Sequence, residues 1–335
     1  MTINIDKIWG AHFHMDIAKE DLPKAIKIQR AFLTFLKTQN IVPSQVSVFK
    51  PGYGPHVLYQ WEVRLENDRP DQILDHIGIG STWLAMNRHN LRALVHPLTQ
   101  DQQKLDLDTE AEDHKRLLWM GSQAPLNLNF FYNPPIEKNS GKIQDTRTPN
   151  EISNKEQDEL LESSEKELSE IQFTDPYKAL VKGFHIHVDF IPAHQRRAMA
   201  VHNSFLQFLK EHSLKFTSHS IYSANSNGPH LLSGWEVKFE TADPKVMKVI
   251  GRAISWLMLN RDNLPVFIHP VTWQEGDVQA EIKAHKEYGM YMGNITPLDL
   301  TFFEKHAEKM LIKKTIIAVS FFLLGIAMFK KMKFF

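Results

Sequence analysis

The chain has 335 residues, 42% of them hydrophobic and 23% charged, enough for two globular domains. Its formal net charge is zero, so the electrostatic footprint of a nucleic-acid binder is absent. There is no cysteine, which excludes disulfides, thiolate metal sites, iron–sulfur clusters and a cysteine nucleophile, whereas histidine, at 17, is plentiful.

Met1 to Gly10 has no basic region followed by an apolar run, so no secretory signal is expected. Ala11 to Asp16 alternates strictly, the period of a half-buried strand, with His12, His14 and Asp16 on one face and Ala11, Phe13 and Met15 on the other. A helix is predicted over Pro23 to Lys37 and a β-type run over Val42 to Phe49. A turn at Pro51 to Pro55 leads into an alternating strand, Val57 to Glu66, with His56 and Glu62 opposite its apolar side. A helix from Asp71 to Asn87, a strand Leu91 to Val95 delivering His96, a short helical stretch carrying His114 and an extra strand, Leu126 to Tyr132, complete the set.

Residues 133–150 read as a flexible linker, and 151–171 as a solvated helix with Leu160, Leu161 and Leu168 as a thin apolar stripe. The series then starts again. Phe184 to Asp189 repeats the first strand, with His185 and His187 in place of His12 and His14. His56, His96 and His114 recur as His230, His269 and His285, and Trp61, Trp83 and Arg88 as Trp235, Trp256 and Arg261, at an offset of about 172 residues. Near the end, Thr315 to Phe329 carries no charge and is flanked by lysines. This predicts a tail anchor that leaves the body in the cytosol, at the mitochondrial outer membrane or the endoplasmic reticulum.

The expected fold class is therefore α+β: two tandem ferredoxin-like (βαββαβ) domains plus a C-terminal transmembrane helix. The expected boundaries are 1–132 and 173–306 for the domains, 133–172 for the charged linker and 311–333 for the membrane anchor.

The matched histidines carry the chemistry. Neutral imidazole suits Fe, Zn, Cu and Ni, and three such ligands leave positions open for catalysis. His76, His89, His194, His202, His212, His219 and His306 have no match in the other copy and read as structural. Asp16, Asp189, Glu62 and Glu236 read either as ligands or orienters of an imidazole or as solvated strand residues. The tryptophans read as core, and Arg88 and Arg261 as helix C-terminal cations in preference to partners of an anionic substrate group. No glycine-rich phosphate loop, Gly-x-Ser-x-Gly elbow or His-Glu-x-x-His helix is present.

His12-Phe13-His14, Gly54-Pro55-His56, the segment from Trp83 to Arg88, His96-Pro97-Leu98-Thr99 and His114 to Gly121 together resemble the DOPA 4,5-dioxygenase family of extradiol ring-cleaving enzymes. The second copy resembles it equally. The likeness implies a ferredoxin-like domain, usually paired, that uses non-haem Fe(II) and O2 to open a catechol ring, with zinc as a substitute metal. The duplication offers to build that pair within one chain. On this resemblance the expected metal ligands are His14, His56 and His96, and His187, His230 and His269. His12 and His185 are each an additional ligand or the acid–base group, and His114 and His285 support the catalysis. The expected function is a membrane-tethered, two-domain aromatic ring-cleaving dioxygenase acting on a small catechol. The alternative is a metal- or small-ligand-binding protein without ring cleavage, and a third reading makes one copy catalytic and the other structural.

Overall fold

Phe13 and Met15 on the first strand, and Trp61 and Val63 on its neighbour, are completely buried, which fixes the apolar face of the sheet. The computed structural model describes residues 3–309 and Ile312, apart from 67–68, 100–106, 133–150, 180, 242, 244 and 273–276. The first half runs β1 (Gly10–Ile17), α1 (Leu22–Thr38), β2 (Gln45–Phe49), β3 (Tyr59–Glu66), α2 (Pro70–Asn87) and β4 (Arg92–Leu98). α3 (Leu107–Asp113), β5 (Leu118–Met120) and α4 (Asn129–Tyr132) follow. α5 (Asn154–Ser163) and α6 (Glu165–Leu168) connect to the second half. There β6 (Gly183–Phe190), α7 (Gln195–Glu211), β7 (Ser218–Tyr222), β8 (Ser233–Glu240), α8 (Val246–Asn260) and β9 (Val266–Val271) repeat the order, closing with α9 (Val278–Lys286) and β10 (Met290–Met292).

The strands form one ten-stranded sheet in the order β2-β3-β1-β4-β5-β10-β9-β6-β8-β7, and every pairing between them is antiparallel. The order β2-β3-β1-β4 is the ferredoxin-like arrangement expected from the sequence, and the α+β class holds. The halves meet edge to edge through β5 and β10, where Met290 lies opposite Met120. Each short strand covers the open edge of the other, which an isolated half would leave exposed. Pro97 in β4 is compatible with a central strand because β5 pairs only with Ala93 to Val95 and stops short of it.

Proline in the first turn of α1 sets its start, and Asn40, at φ 58°, turns the chain out of the helix end. On the apolar side of the sheet α2 crosses α8, with Gly78 and Gly251 at close approach. Two asparagines tie each half to the segment leading into the other. Asn87 holds Thr174, accepting from its N at 2.6 Å and donating to its carbonyl at 2.8 Å. Asn260 does the same for Ile3, at 2.6 and 3.0 Å.

Three expectations change. The extra strand over Leu126 to Tyr132 is instead a single bridge, His56 to Leu126, followed by α4; the added strand is β5. The linker segment 151–171 is helical and mostly exposed, as expected, but it forms two short helices and docks through its apolar stripe: α5 starts with a capping box between Ser153 and Glu156, and Leu160 and Leu161 pack against the core. The exposed Arg30–Asp158 pair at 2.6 Å adds little to that apolar contact. The linker stretch 133–150 lies outside the described residues.

The third correction concerns the membrane. Among the described residues no helix is long and apolar enough to cross one. The expected C-terminal transmembrane helix is therefore withdrawn from the fold class, and the tail-anchored placement at the mitochondrial outer membrane or endoplasmic reticulum, which rested on it, is withdrawn too. The stretch 311–333, Ile312 excepted, lies outside the described residues.

Candidate metal centres

The alternation of β1 sends His12, His14 and Asp16 to the face opposite the helices, and strand register decides what they meet. His12 stands across from His96 on β4, and His14 across from Glu62 on β3. The second half repeats this with His185 across from His269 and His187 across from Glu236. His56 arrives from the turn before β3, where Gly54 at φ 59° makes the left-handed bend that glycine tolerates best. The bridge to Leu126 and the Asn127 N–H donating to the Pro55 carbonyl at 2.8 Å hold it in place.

The result is a buried imidazole cluster in each half. His12, His14 and His96 each offer a ligand atom within 4.8 Å of the others, as do His185, His187 and His269. His14 Nε2 and His96 Nε2 are 3.3 Å apart. His56 stacks on His14 at 4.5 Å between ring centroids, and His230 on His187 at 4.1 Å. His114 lies 4.1 Å from His96 with Phe131 behind it, and His285 lies 4.0 Å from His269 with Phe303 behind it. All ten matched histidines thus gather at the two centres, with His114 falling just beyond α3 rather than within it.

Burial is the leading cause that holds His12, His14, His96, His187 and His269 well below the usual imidazole range, and it pushes His285 down to about 3. These rings are neutral at ordinary pH, the form that ligates metal. His12 Nε2, His56 Nε2, His230 Nε2 and both ring nitrogens of His187 are buried without a hydrogen-bond partner. Buried polar atoms seldom go unsatisfied, and a cation among several imidazole nitrogens would satisfy these. The donor set fits a divalent transition metal.

The carboxylates orient these rings. His56 Nδ1 donates to Asp16 Oδ1 at 2.7 Å, and His230 Nδ1 to both oxygens of Asp189 at 3.1 and 3.2 Å. Asp16 and Asp189 therefore hold the proton of His56 and His230 on Nδ1 and leave each Nε2 buried without a hydrogen-bond partner, although neither ring belongs to the three-imidazole groups themselves. Glu62 pairs with Arg64, and His14 Nδ1 lies 3.7 Å from it.

Several neighbours escape a reading of the sequence alone. Gln60 accepts from His14 Nδ1 at 3.1 Å, Glu240 accepts from His185 Nε2 at 2.8 Å, and Tyr222 and Thr296 both donate to Asp189 at 2.8 Å. Gln60 was legible in principle, since it shares the polar face of β3 with Glu62. Tyr222 and Thr296 stand where the first half has Phe49 and Ala124, so the repeat conceals them. Away from these centres, a cavity of about 370 Å³ between Ile3, Phe208 and Trp256 is lined by none of the matched histidines.

Comparison with known proteins bears on this arrangement. The family model for the Dopa 4,5-dioxygenase family matches residues 9–130 and 184–302. Over 77 residues the chain is 42% identical to an uncharacterized 21.2 kDa protein of Botryotinia fuckeliana, a match spanning 23% of this chain and 39% of that relative. The crystal structure of a "putative dioxygenase" from Nostoc punctiforme is 23% identical, covering 39% of this chain and 97% of that one at a TM-score of 0.29. The two family matches fall one on each half, carry the imidazole clusters and together span more than half of the sequence: the chain belongs to the Dopa 4,5-dioxygenase family, in two tandem copies.

Proposed function

We propose that each half, 1–132 and 173–306, is a catalytic unit of a non-haem Fe(II) extradiol-type dioxygenase that opens a catechol ring with O2. The observation that carries this is the buried imidazole group built twice, His12/His14/His96 and His185/His187/His269, within a chain of this family.

When bound, the metal would supply the Lewis acidity and redox capacity that O2-dependent ring opening requires. His14 and His96, with His187 and His269, are its ligands. The third position in the first centre falls to His12 or to His56, and in the second to His185 or His230; the imidazole left over takes the acid–base role. Asp16 keeps the proton on His56 Nδ1, so that its Nε2 is left to ligate the metal or, where His12 is the third ligand, to accept or return a proton at a substrate hydroxyl. Such a group contributes about 10²–10⁴-fold. Phe131 and Phe303 pack behind His114 and His285 and help exclude water.

The test loads the full chain with Fe(II) without oxygen and adds a panel of catechols with O2. Oxygen uptake with a coloured ring-opened product supports the reading. Tight metal binding with no uptake on any catechol would instead assign a metal-binding protein without ring cleavage. Metal content of His12→Ala against His56→Ala decides the third ligand.

A further inference from the structure

The two centres use matched imidazoles, yet the groups that orient them differ. In the first, Gln60 Oε1 accepts from His14 Nδ1 at 3.1 Å while its Nε2 donates to the Tyr53 carbonyl at 3.3 Å. The second bond fixes which way the amide points. The first fixes the His14 tautomer, so that Nε2, facing His96, carries the lone pair.

Among the described residues the second half has no amide acceptor at that place. Gly234 stands at the matched place across from Asp189, and the Tyr222 ring fills the space its side chain would take. His187 is left without a hydrogen-bond partner on either nitrogen. Its ring also sits differently: Nε2 is the nitrogen near Glu236, at 3.5 Å, whereas Nδ1 of His14 faces Glu62.

Two further differences point the same way. His185 Nε2 donates to Glu240 at 2.8 Å and so has no lone pair to offer a metal, while His12 Nε2 has no hydrogen-bond partner and keeps its place open for one. Asp16 accepts from His56 at 2.7 Å, whereas Asp189 shares its charge among Tyr222, Thr296 and a longer bond from His230. A partner that fixes the tautomer and raises ligand basicity is worth about 10- to 100-fold in metal affinity.

We propose that the two centres are unequal, the first binding its divalent metal about 10- to 100-fold more tightly than the second, with Gln60 as the positioning residue behind most of the difference. This rests on the reading that the imidazole groups hold metal. The duplicated chain then carries a metal-retaining centre and a second whose occupancy follows the metal supply.

Anaerobic calorimetric titration of the full chain with Fe(II) tests this. His187→Ala leaves the first centre to be measured alone, and His14→Ala the second. The expected result is a tighter constant in His187→Ala than in His14→Ala by about 10-fold or more. In the His187→Ala background, Gln60→Met, of similar bulk but with no acceptor, weakens binding by about 10-fold, whereas Gln60→Glu, which keeps an acceptor, does not. Equal constants in the two single-centre proteins overturn the inequality and leave the metal reading standing. A Gln60→Met protein with native circular dichroism and unchanged affinity removes Gln60 from the account. No Fe(II) bound at either centre defeats the metal reading itself. The comparison of His14→Ala with His187→Ala needs no Gln60 variant, so a misfolded one does not block the test.

Discussion

Gly78 and Gly251 face one another where α2 crosses α8, and neither has room for a side chain. A Cβ on Gly78 would collide with the Met247 carbonyl, and one on Gly251 with the Leu74 carbonyl. Alanine ordinarily favours a helix over glycine by about 1 kcal/mol, so the sign of a substitution here reports the crossing. Gly78→Ala and Gly251→Ala are each expected to destabilise by about 1–3 kcal/mol, because the obstacle is backbone that must move bodily. Thermal unfolding measures this; a raised Tm would show that the helices part without cost.

Asp16→Asn keeps the shape beside His56 but removes the charge that its Nδ1–H points to. The amide can also turn its NH2 toward the ring, which would undo the tautomer. Metal affinity at the first centre is expected to fall by about 10- to 100-fold with little change in fold. Equilibrium dialysis in the His187→Ala background reads it, and unchanged affinity would place His56 outside the ligand set, with His12 as the third ligand.

The buried imidazoles set a pH dependence for the metal-free protein. Burial holds His12, His14, His96, His187 and His269 below their ordinary range, and His285 down to about 3. Unfolded, these rings take up protons below about pH 6.5; folded, they resist. The unfolded state therefore binds more protons in acid. The stability these groups contribute is complete above pH 6.5 and declines as pH drops below it, by up to about 1.4 kcal/mol per pH unit for each ring. Urea midpoints of metal-free protein should be level between pH 7.5 and 8.5 and fall steeply from 6.5 to 5.5. A flat midpoint across that lower range would show that the rings are not dry.

Asn260→Ala removes both bonds to Ile3, and Asn87→Ala both bonds to Thr174. Each is expected to cost about 1–3 kcal/mol. Hydrogen exchange separates the two: the Ile3 amide loses protection in the first variant only, and the Thr174 amide in the second only. Loss at both sites in either variant would mean that the clamps act as one unit.

Much of this architecture was legible in the sequence because it is local or repeated. The alternation of His12, His14 and Asp16 against Phe13 and Met15 fixes a strand and its two faces, and the recurrence at His185 and His187 removes chance. The order of elements then places β1 centrally, where His96 and His56 can reach it. What was not legible depends on contacts far apart in the chain. Leu118 to Met120 shows no alternation over three residues and is a strand only because β4 and β10 pair with it. The docking of Leu160 and Leu161 depends on the face α1 presents, which a thin apolar stripe does not reveal. Tyr222 escaped because the repeat has Phe49 there, so its hydroxyl answers to Asp189 alone. The apolar run before the final lysines suggested a bilayer span, yet no described helix is long and apolar enough to make one.

The clamp between Ile3 and Asn260 joins residues 257 apart. During synthesis the leading segment emerges long before the helix that will hold it, so its last backbone bonds wait until α8 is complete. Contacts so far apart in sequence form late, because the loop between them must be closed first. The opening residues of the first copy are finished by the second, which makes the order of assembly, unlike the fold itself, asymmetric between two copies built alike.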